Sequence, residues 1–442
     1  MVNVIEVCRV APAPELPSSA SPKSFPLTFF DLLWLRFPPV QQLLFYEIPS
    51  PNRPLFDSII SKLKHSLSLT LHHFFPLCGN LTWPKDSPKP ILNYVHGDGV
   101  SLTVAESNMD FYHLSSNDFR EATECQPLIP NLEVSHEQAS VMALQVTVFP
   151  NSGFCIGITT HHAVLDGKTI MSFVNSWAQI CKTDLPSIAP EHTPFFDRTD
   201  IKDPAGLDAI YLNEWLKHGG PNNRSLMIWD RPIPLGAVRC TFEVGREGIG
   251  KLRKSVSGGD QSKRISTFSL ICGYTWACLE KAKEIRDKEA LLVFNVDCRP
   301  RLKPSVHPSY FGNCIARRYV AVETEEVLGE NGVCVAVEAI IEAVKGVEDG
   351  FLDGAETWVS AINNTEKSAK ITGVAGSPRF EVYTIDFGWG TPRKVEVTSI
   401  DKARAMSLSA TKDGKGVEIA LVLKKQEMEA FASFFSKGLQ SL

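Results

Sequence analysis

The most constraining feature of this chain is an alternating segment that turns back on itself and then changes period. From Val141 to Phe149, the apolar Leu144, Val146 and Val148 alternate with Gln145 and Thr147, and Pro150-Asn151-Ser152-Gly153 follows as a turn signal. On the return, Phe154, Ile156, Ile158, Thr160 and His162 fall at every second position, so they share one face of a strand. After Gly167 the spacing becomes helical, with Ile170, Phe173 or Val174, Trp177 and Cys181 on the buried side. The pattern predicts a hairpin feeding a helix, with His162 and Asp166 bracketed at the junction.

The same mix recurs along the chain. Leu55, Ile59, Leu63, Leu67 and Leu71 predict an amphipathic helix. Helices are predicted over Thr267–Lys283 and Val333–Val344, and strands over Leu291–Val296 and Phe380–Ile385. A last strand carries Val417, Ile419, Leu421 and Leu423, and a closing helix carries Met428, Phe431 and Phe435. Strands and helices alternate throughout, which predicts an α/β fold. Ala11 to Phe25 reads as an irregular, Pro- and Ser-rich lead-in. Pro186 to Asn223, rich in Pro, Asp, Gly and His, is the best linker candidate. At 442 residues the chain has room for two or three domains. The boundaries read here are an N-terminal domain 1–190, a crossover 191–223 and a C-terminal domain 224–442.

Composition excludes several classes. Lys and Arg number 45 against 50 Asp and Glu, a formal charge of -5, which opposes nucleic-acid binding. No polybasic run suits an anionic membrane, and no apolar run reaches the ~20 residues of a membrane helix. The 11 cysteines are odd in number with no C-x-x-C pair, and the start lacks the pattern of a signal peptide. A reduced compartment, the cytoplasm, is therefore expected. Nothing demands an oligomer, and a monomer is expected.

Chemistry-bearing motifs are few. His161-His162-Ala163-Val164-Leu165-Asp166-Gly167 places an imidazole at a strand end, where it can deprotonate a hydroxyl. Among 11 histidines, one His followed by Asp at this spacing is weak evidence by itself. Neighbouring histidines on a strand point to opposite faces and no further ligand completes a site, so no metal is expected. Asp386-Phe387-Gly388 mimics the kinase triplet, but the other kinase motifs are missing. Gly245 to Lys251 nearly matches a phosphate loop and fails at Leu252, where Ser or Thr is needed. Cys155, an odd number of residues before His162, is read as a buried, inert thiol.

Taken together, His162-x-x-x-Asp166 and Asp386-Phe387-Gly388-Trp389-Gly390 resemble the paired motifs of the BAHD plant acyltransferases. The resemblance spans essentially the whole chain. It includes Leu27 to Trp34, Ser266 to Trp276, Val296 to Arg301 and Gly376 to Arg379. Tyr310-Phe311-Gly312-Asn313-Cys314 resembles the signature of the flavonoid and anthocyanin glycoside acyltransferases. The context of His161 to Lys168 is most similar to the phenolic-glucoside malonyltransferases.

The resemblance implies a two-domain fold of the chloramphenicol-acetyltransferase kind, with the active-site channel between the domains. It implies malonyl-CoA as the acyl-donor co-substrate, no bound cofactor, and a phenolic glucoside as acceptor. His162 is implied as the general base on a sugar hydroxyl, most plausibly the glucose 6-hydroxyl. Asp166 is implied to turn away from substrate and pair with an arginine, for which Arg299 is the candidate. Asp386 is implied to be essential, without a claim of proton transfer, and Gly388, Trp389 and Gly390 to shape the channel. Trp389 N–H is a candidate oxyanion donor. Lys263, Arg264, Ser266, Thr267, Tyr310, Phe311, Gly312 and Asn313 are assigned to acyl-CoA binding, and Trp34 to the acceptor. Malonyl specificity needs a cation for the free carboxylate, and Lys168 is the candidate. Some family malonyltransferases carry Arg four residues past the motif aspartate, where this chain has Ile170. A hydroxycinnamoyl donor therefore stays open, as does, in a different class, a non-catalytic phenolic-binding paralogue.

Overall fold

The computed structural model describes residues 1–13, 23–49, 52–260, 264–364 and 371–442. Three sheets carry the architecture. The first has six strands in the order Val2–Val10, Val100–Ser107, Met142–Phe149, Gly153–Thr160, Val40–Glu47 and Lys394–Val397. The second has seven, in the order Ile315–Glu323, Glu289–Asp297, Thr372–Gly376, Ala405–Ala410, Val417–Lys424, Ala237–Val244 and Arg120–Glu121. A small four-stranded sheet, Lys23–Pro26, Ile91–Tyr94, Asn80–Thr82 and Gln138–Ser140, flanks the first. Both parallel and antiparallel pairs occur, as in many α/β proteins.

The two large sheets exchange strands. Lys394–Val397, late in the chain, pairs with Val40–Glu47 in the first sheet, while Arg120–Glu121, early in the chain, pairs with Ala237–Val244 in the second. A buried ionic network lies where they cross. Glu396 pairs with Arg120 and Arg239, Arg239 with Asp401, and Lys394 with Glu418 at 2.9 Å. Buried charges persist only when paired in this way.

The hairpin is Met142–Phe149 and Gly153–Thr160, in register from Gly153 opposite Phe149 to Thr160 opposite Met142. Every residue of both strands is buried, against the half-exposed alternation that the sequence suggests. The polar side is covered by the segment around Leu128 and Ile129, whose carbonyls satisfy it: Gln145 donates to Pro127 and Thr159 to Pro130. The strand stops at Thr160, so His162 sits in the following turn. Helix Gly167–Thr183 then begins, capped by the Asp166 carboxylate on the amide of Thr169. Helix Arg53–His73 packs against it; Trp177 donates to the Leu63 carbonyl.

The remaining helices and strands fall close to their expected places, with two differences. Phe380–Ile385 is not a strand; Pro378–Phe380 and Val382–Thr384 are tight helical turns, and the Tyr383 hydroxyl is drawn to Glu418. The Pro-rich stretch 186–223 contains a helix, Leu207–Lys217, whose Leu207, Tyr211 and Trp215 face the core at helical spacing. Most of the lead-in read at Ala11–Phe25 lies outside the described residues, and Lys23–Pro26 is a strand. No helix is long and apolar enough to cross a membrane, among the described residues.

Candidate active site

His162 lies where the early and late parts of the chain meet. Its ring stacks on Trp34 at 4.0 Å, nearly parallel, and meets the edge of Phe37 at 5.7 Å. Its carbonyl accepts from the Asn313 side chain at 2.9 Å. Asn313 is held in turn by Asp31, which accepts from its backbone and side-chain N–H groups and from Arg198. Asp31 and Asn313 are fully buried, so Arg198 and Asp31 hold Asn313, which comes from the other half of the chain, against the His162 backbone. Asp31 and Arg198 were not marked from sequence. The structure shows a capping box of Thr28 with Asp31, a pattern that by itself marks a helix start and not a site.

The two adjacent histidines have different fates. His161 is fully buried, and its Nδ1 accepts from the Ala163 amide. Burial, with His162 adding to it, pushes its pKa down to about 3. His162 is half-buried; its Nδ1 is sealed and makes no well-formed hydrogen bond, which leaves Nε2 as the ring's open nitrogen. Desolvation lowers its pKa to about 4, opposed by its own carbonyl and Asp166 and assisted by Arg317. At neutral pH the ring is therefore uncharged with a lone pair available, the form that a general base requires.

Asp166 does not face the His162 ring as an acid partner. Its carboxylate makes a buried pair with Arg299, at 2.9 Å to Oδ2 and 3.1 Å to Oδ1. It also accepts from the amides of Thr169 and Cys314. Burial alone would raise its pKa, but Arg299 and these donors hold it below the usual carboxylate range. Arg299 also donates to the carbonyls of Tyr310 and Gly312, so one guanidinium ties the His162 turn to the 310–314 loop.

That loop is packed tightly. Tyr310, Phe311 and Asn313 are buried, and the amide of Phe311 donates to the Phe195 carbonyl. Gly312 has φ +146°, and a Cβ there would lie 2.9 Å from the Tyr310 ring, so only glycine suits the position. These residues brace the site; their expected contacts with an acyl group would have to come from the loop's rim.

The expected site residues of the Asp386–Gly390 motif lie elsewhere. Asp386 sits in a loop where its Oδ1 accepts from the Gly388 and Gly390 amides at 2.8 and 3.0 Å and its Oδ2 pairs with Lys182 at 2.7 Å. Lys182 is at the C-terminal end of helix Gly167–Thr183, whose other end holds Asp166. At 1.5 Å per residue this is about 24 Å away along the helix. Asp386, expected to be essential without proton transfer, is thus a loop organiser away from the His162 turn, and Trp389, a candidate oxyanion donor, is part of that loop. Phe387 meets Trp177 and Tyr46 edge-on, and Trp389 packs against Phe154. Gly388 and Gly390 take φ +106° and +96°, which lets the loop curl around the carboxylate. Lys168, half-exposed, pairs with Asp297 at 3.3 Å.

Of the CoA candidates, Lys263 lies outside the described residues and Arg264 is exposed. Ser266 caps helix Thr267–Ala282 through the Ser269 amide, and Thr267 accepts from Arg253. Trp34 is almost wholly buried, so it presents its face to His162 rather than to solvent. Phe37 and Trp229, 6.5 Å apart and both only partly buried, extend the aromatic wall beside the ring. Among the described residues no three His, Cys, Asp or Glu side chains gather as a metal site. Burial pushes the Cys155 thiol far up, away from nucleophilic use.

The site is thus a neutral imidazole with one open nitrogen, held from both halves of a strand-exchanged α/β chain. Solved structures share the fold. Vinorine synthase superposes with a TM-score of 0.72 at 22% identity, covering 97% of this chain and 96% of that one. Fusarium graminearum TRI101 complexed with coenzyme A and T-2 mycotoxin gives 0.69 at 14% identity, covering 92% and 96%. The family model described as the Transferase family matches residues 1–437, and the chain belongs to it, as a BAHD acyl-CoA-dependent acyltransferase. Relatives include phenolic glucoside malonyltransferase 2 of Arabidopsis thaliana, 41% identical with all of both chains covered. Malonyl-CoA:anthocyanidin 5-O-glucoside-6''-O-malonyltransferase of the same plant is 41% identical over 99% of this chain and 98% of its own. An agmatine coumaroyltransferase from that plant is 37% identical over 99% of both.

Proposed function

We propose that the protein transfers a malonyl group from malonyl-CoA to a sugar hydroxyl of a phenolic or anthocyanin glucoside. The observation that carries the chemistry is the neutral, half-buried His162, whose Nε2 is open while its backbone is fixed by Asn313. The donor and acceptor classes are supported by the full-length malonyltransferase relatives.

In this reading His162 Nε2 accepts the proton of the sugar hydroxyl as its oxygen attacks the thioester carbonyl. A C–O bond forms, the tetrahedral intermediate collapses, and the C–S bond breaks. The CoA thiolate leaves and takes the proton from His162, so the ring returns to its starting form. Proximity of two bound substrates supplies much of the rate. Trp34 positions the ring by stacking, and the Asp166–Arg299 pair positions the turn that carries it. We assign Phe37 and Trp229 to the aglycone, because both are only partly buried, Phe37 meets the His162 ring edge-on and Trp229 lies beside Phe37. The parts 1–190 and 224–442, joined by 191–223, act here as one catalytic unit. Arg264, together with Lys263, is kept as the cation pair for the CoA phosphates.

The test is a thiol-release assay with malonyl-, acetyl- and coumaroyl-CoA, each with phenolic and anthocyanidin glucosides. Release of CoA with malonyl-CoA, and a product heavier by one malonyl group, is the expected result. Release with coumaroyl-CoA alone would replace the donor, and no release from any pair would reject the enzymatic reading.

A further inference from the structure

We propose that Arg317 binds the free carboxylate of the malonyl donor and so determines donor specificity, a step that rests on the malonyl-transfer reading above. Arg317 lies on the edge strand Ile315–Glu323, three residues past the Tyr310–Cys314 loop, and is 9% exposed. Its Nε and Nη1 are buried without a hydrogen-bond partner. No carboxylate neutralises it: among the described residues Arg317 has no ion pair, and its favourable neighbours are Tyr319, whose ring lies 5.5 Å from the guanidinium carbon, and Tyr211. A buried guanidinium with idle donors is costly unless an anion completes it.

Its location says which anion. The Arg317 guanidinium carbon sits 5.3 Å from the centre of the Trp34 ring, the same ring on which His162 stacks at 4.0 Å. The cation is close enough to His162 to depress its pKa. It therefore shares the Trp34 ring with the reacting imidazole. A malonyl thioester has its carboxylate one methylene beyond the carbonyl that is attacked, so a donor placed for attack beside His162 brings that carboxylate into the same space. A planar guanidinium suits it, because two parallel N–H groups can reach both carboxylate oxygens. The sites considered from sequence do not serve this end: Lys168 is half-exposed and already paired with Asp297, and Ile170 is a buried apolar residue.

The test compares kcat/KM for malonyl-CoA and acetyl-CoA in wild type, Arg317→Met and Arg317→Lys, with one neutral phenolic glucoside as acceptor. Arg317→Met should lose on the order of 10²-fold with malonyl-CoA, mostly in KM, and stay within about threefold with acetyl-CoA. Arg317→Lys should recover part of the malonyl activity. Met fits a buried site and removes an unpaired charge, so the melting temperature should hold or rise; a fall would be followed with the Lys variant. Equal losses for the two donors, or no loss for either, overturn the assignment to Arg317 while leaving malonyl transfer intact. Wild type that uses coumaroyl-CoA and ignores malonyl-CoA overturns the malonyl reading itself.

Discussion

Replacing Arg299 by Met tests how the catalytic turn is held. In the native protein Asp166 and Arg299 are each 1% exposed and joined by two short contacts, and Arg299 also donates to the carbonyls of Tyr310 and Gly312. Removing the guanidinium strands a buried carboxylate that keeps only the Thr169 and Cys314 donors. Breaking a buried pair in this way costs about 3–5 kcal/mol. The sign with pH follows from Asp166. Its folded pKa is held below that of the unfolded chain, so its contribution is present above the unfolded value and fades as the pH falls through the folded one. Without Arg299, burial raises the folded pKa, and the variant is most penalised at high pH. Urea denaturation followed by tryptophan fluorescence at pH 8 and pH 5 should show the larger loss at pH 8. The double variant Arg299→Met with Asp166→Asn should be less damaged than the single one, because no bare charge is left. A loss under about 1 kcal/mol, or one equal at both pH values, would refute the reasoning.

Three further outcomes follow from the site. The acid limb of kcat/KM should fall near pH 4 and not near 6.5, because protonation of the desolvated His162 removes the base; a limb at the ordinary histidine value would contradict that burial. Asp386→Ala should lower stability by about 1–3 kcal/mol, as two loop amides and Lys182 lose their acceptor, while the remaining turnover keeps the wild-type acid limb; a displaced limb would return Asp386 to the chemistry. Gly312→Ala should cost about 1–3 kcal/mol by forcing a strained φ against the Tyr310 ring, read as a lower melting temperature, and an unchanged one would remove the steric argument.

Much of this was legible in the sequence because it rests on periodicity and on paired motifs. The hairpin, the helix after Gly167 and the closing strand and helix all follow from spacing that burial enforces. The pairing of Asp166 with Arg299 came from a family pattern, and the ion pair is present. What escaped has physical causes. The half-exposed alternation of Met142–Phe149 was misleading because the segment around Pro127 and Pro130, shortly before it in the chain, covers the polar face of the hairpin. The exchange of Lys394–Val397 and Arg120–Glu121 between sheets leaves no local signature, since strands this short are chosen by partners. The relay from Arg198 through Asp31 to Asn313 spans 282 residues between Asp31 and Asn313, so no window contains it. Arg317 looked like an ordinary charged residue on an edge strand; only its depth and empty donors mark it. The role of Asp386 was open in the sequence because its motif says that it matters and not where it lies; its partner Lys182 places it at the far end of helix Gly167–Thr183.

The most direct test of the central claim is CoA release by His162→Ala under saturating malonyl-CoA and phenolic glucoside. The structure predicts turnover lower by about 10²-fold or more, with the KM for malonyl-CoA within about threefold of wild type, because the ring moves the proton and does not hold the donor. Turnover within about threefold of wild type would contradict it.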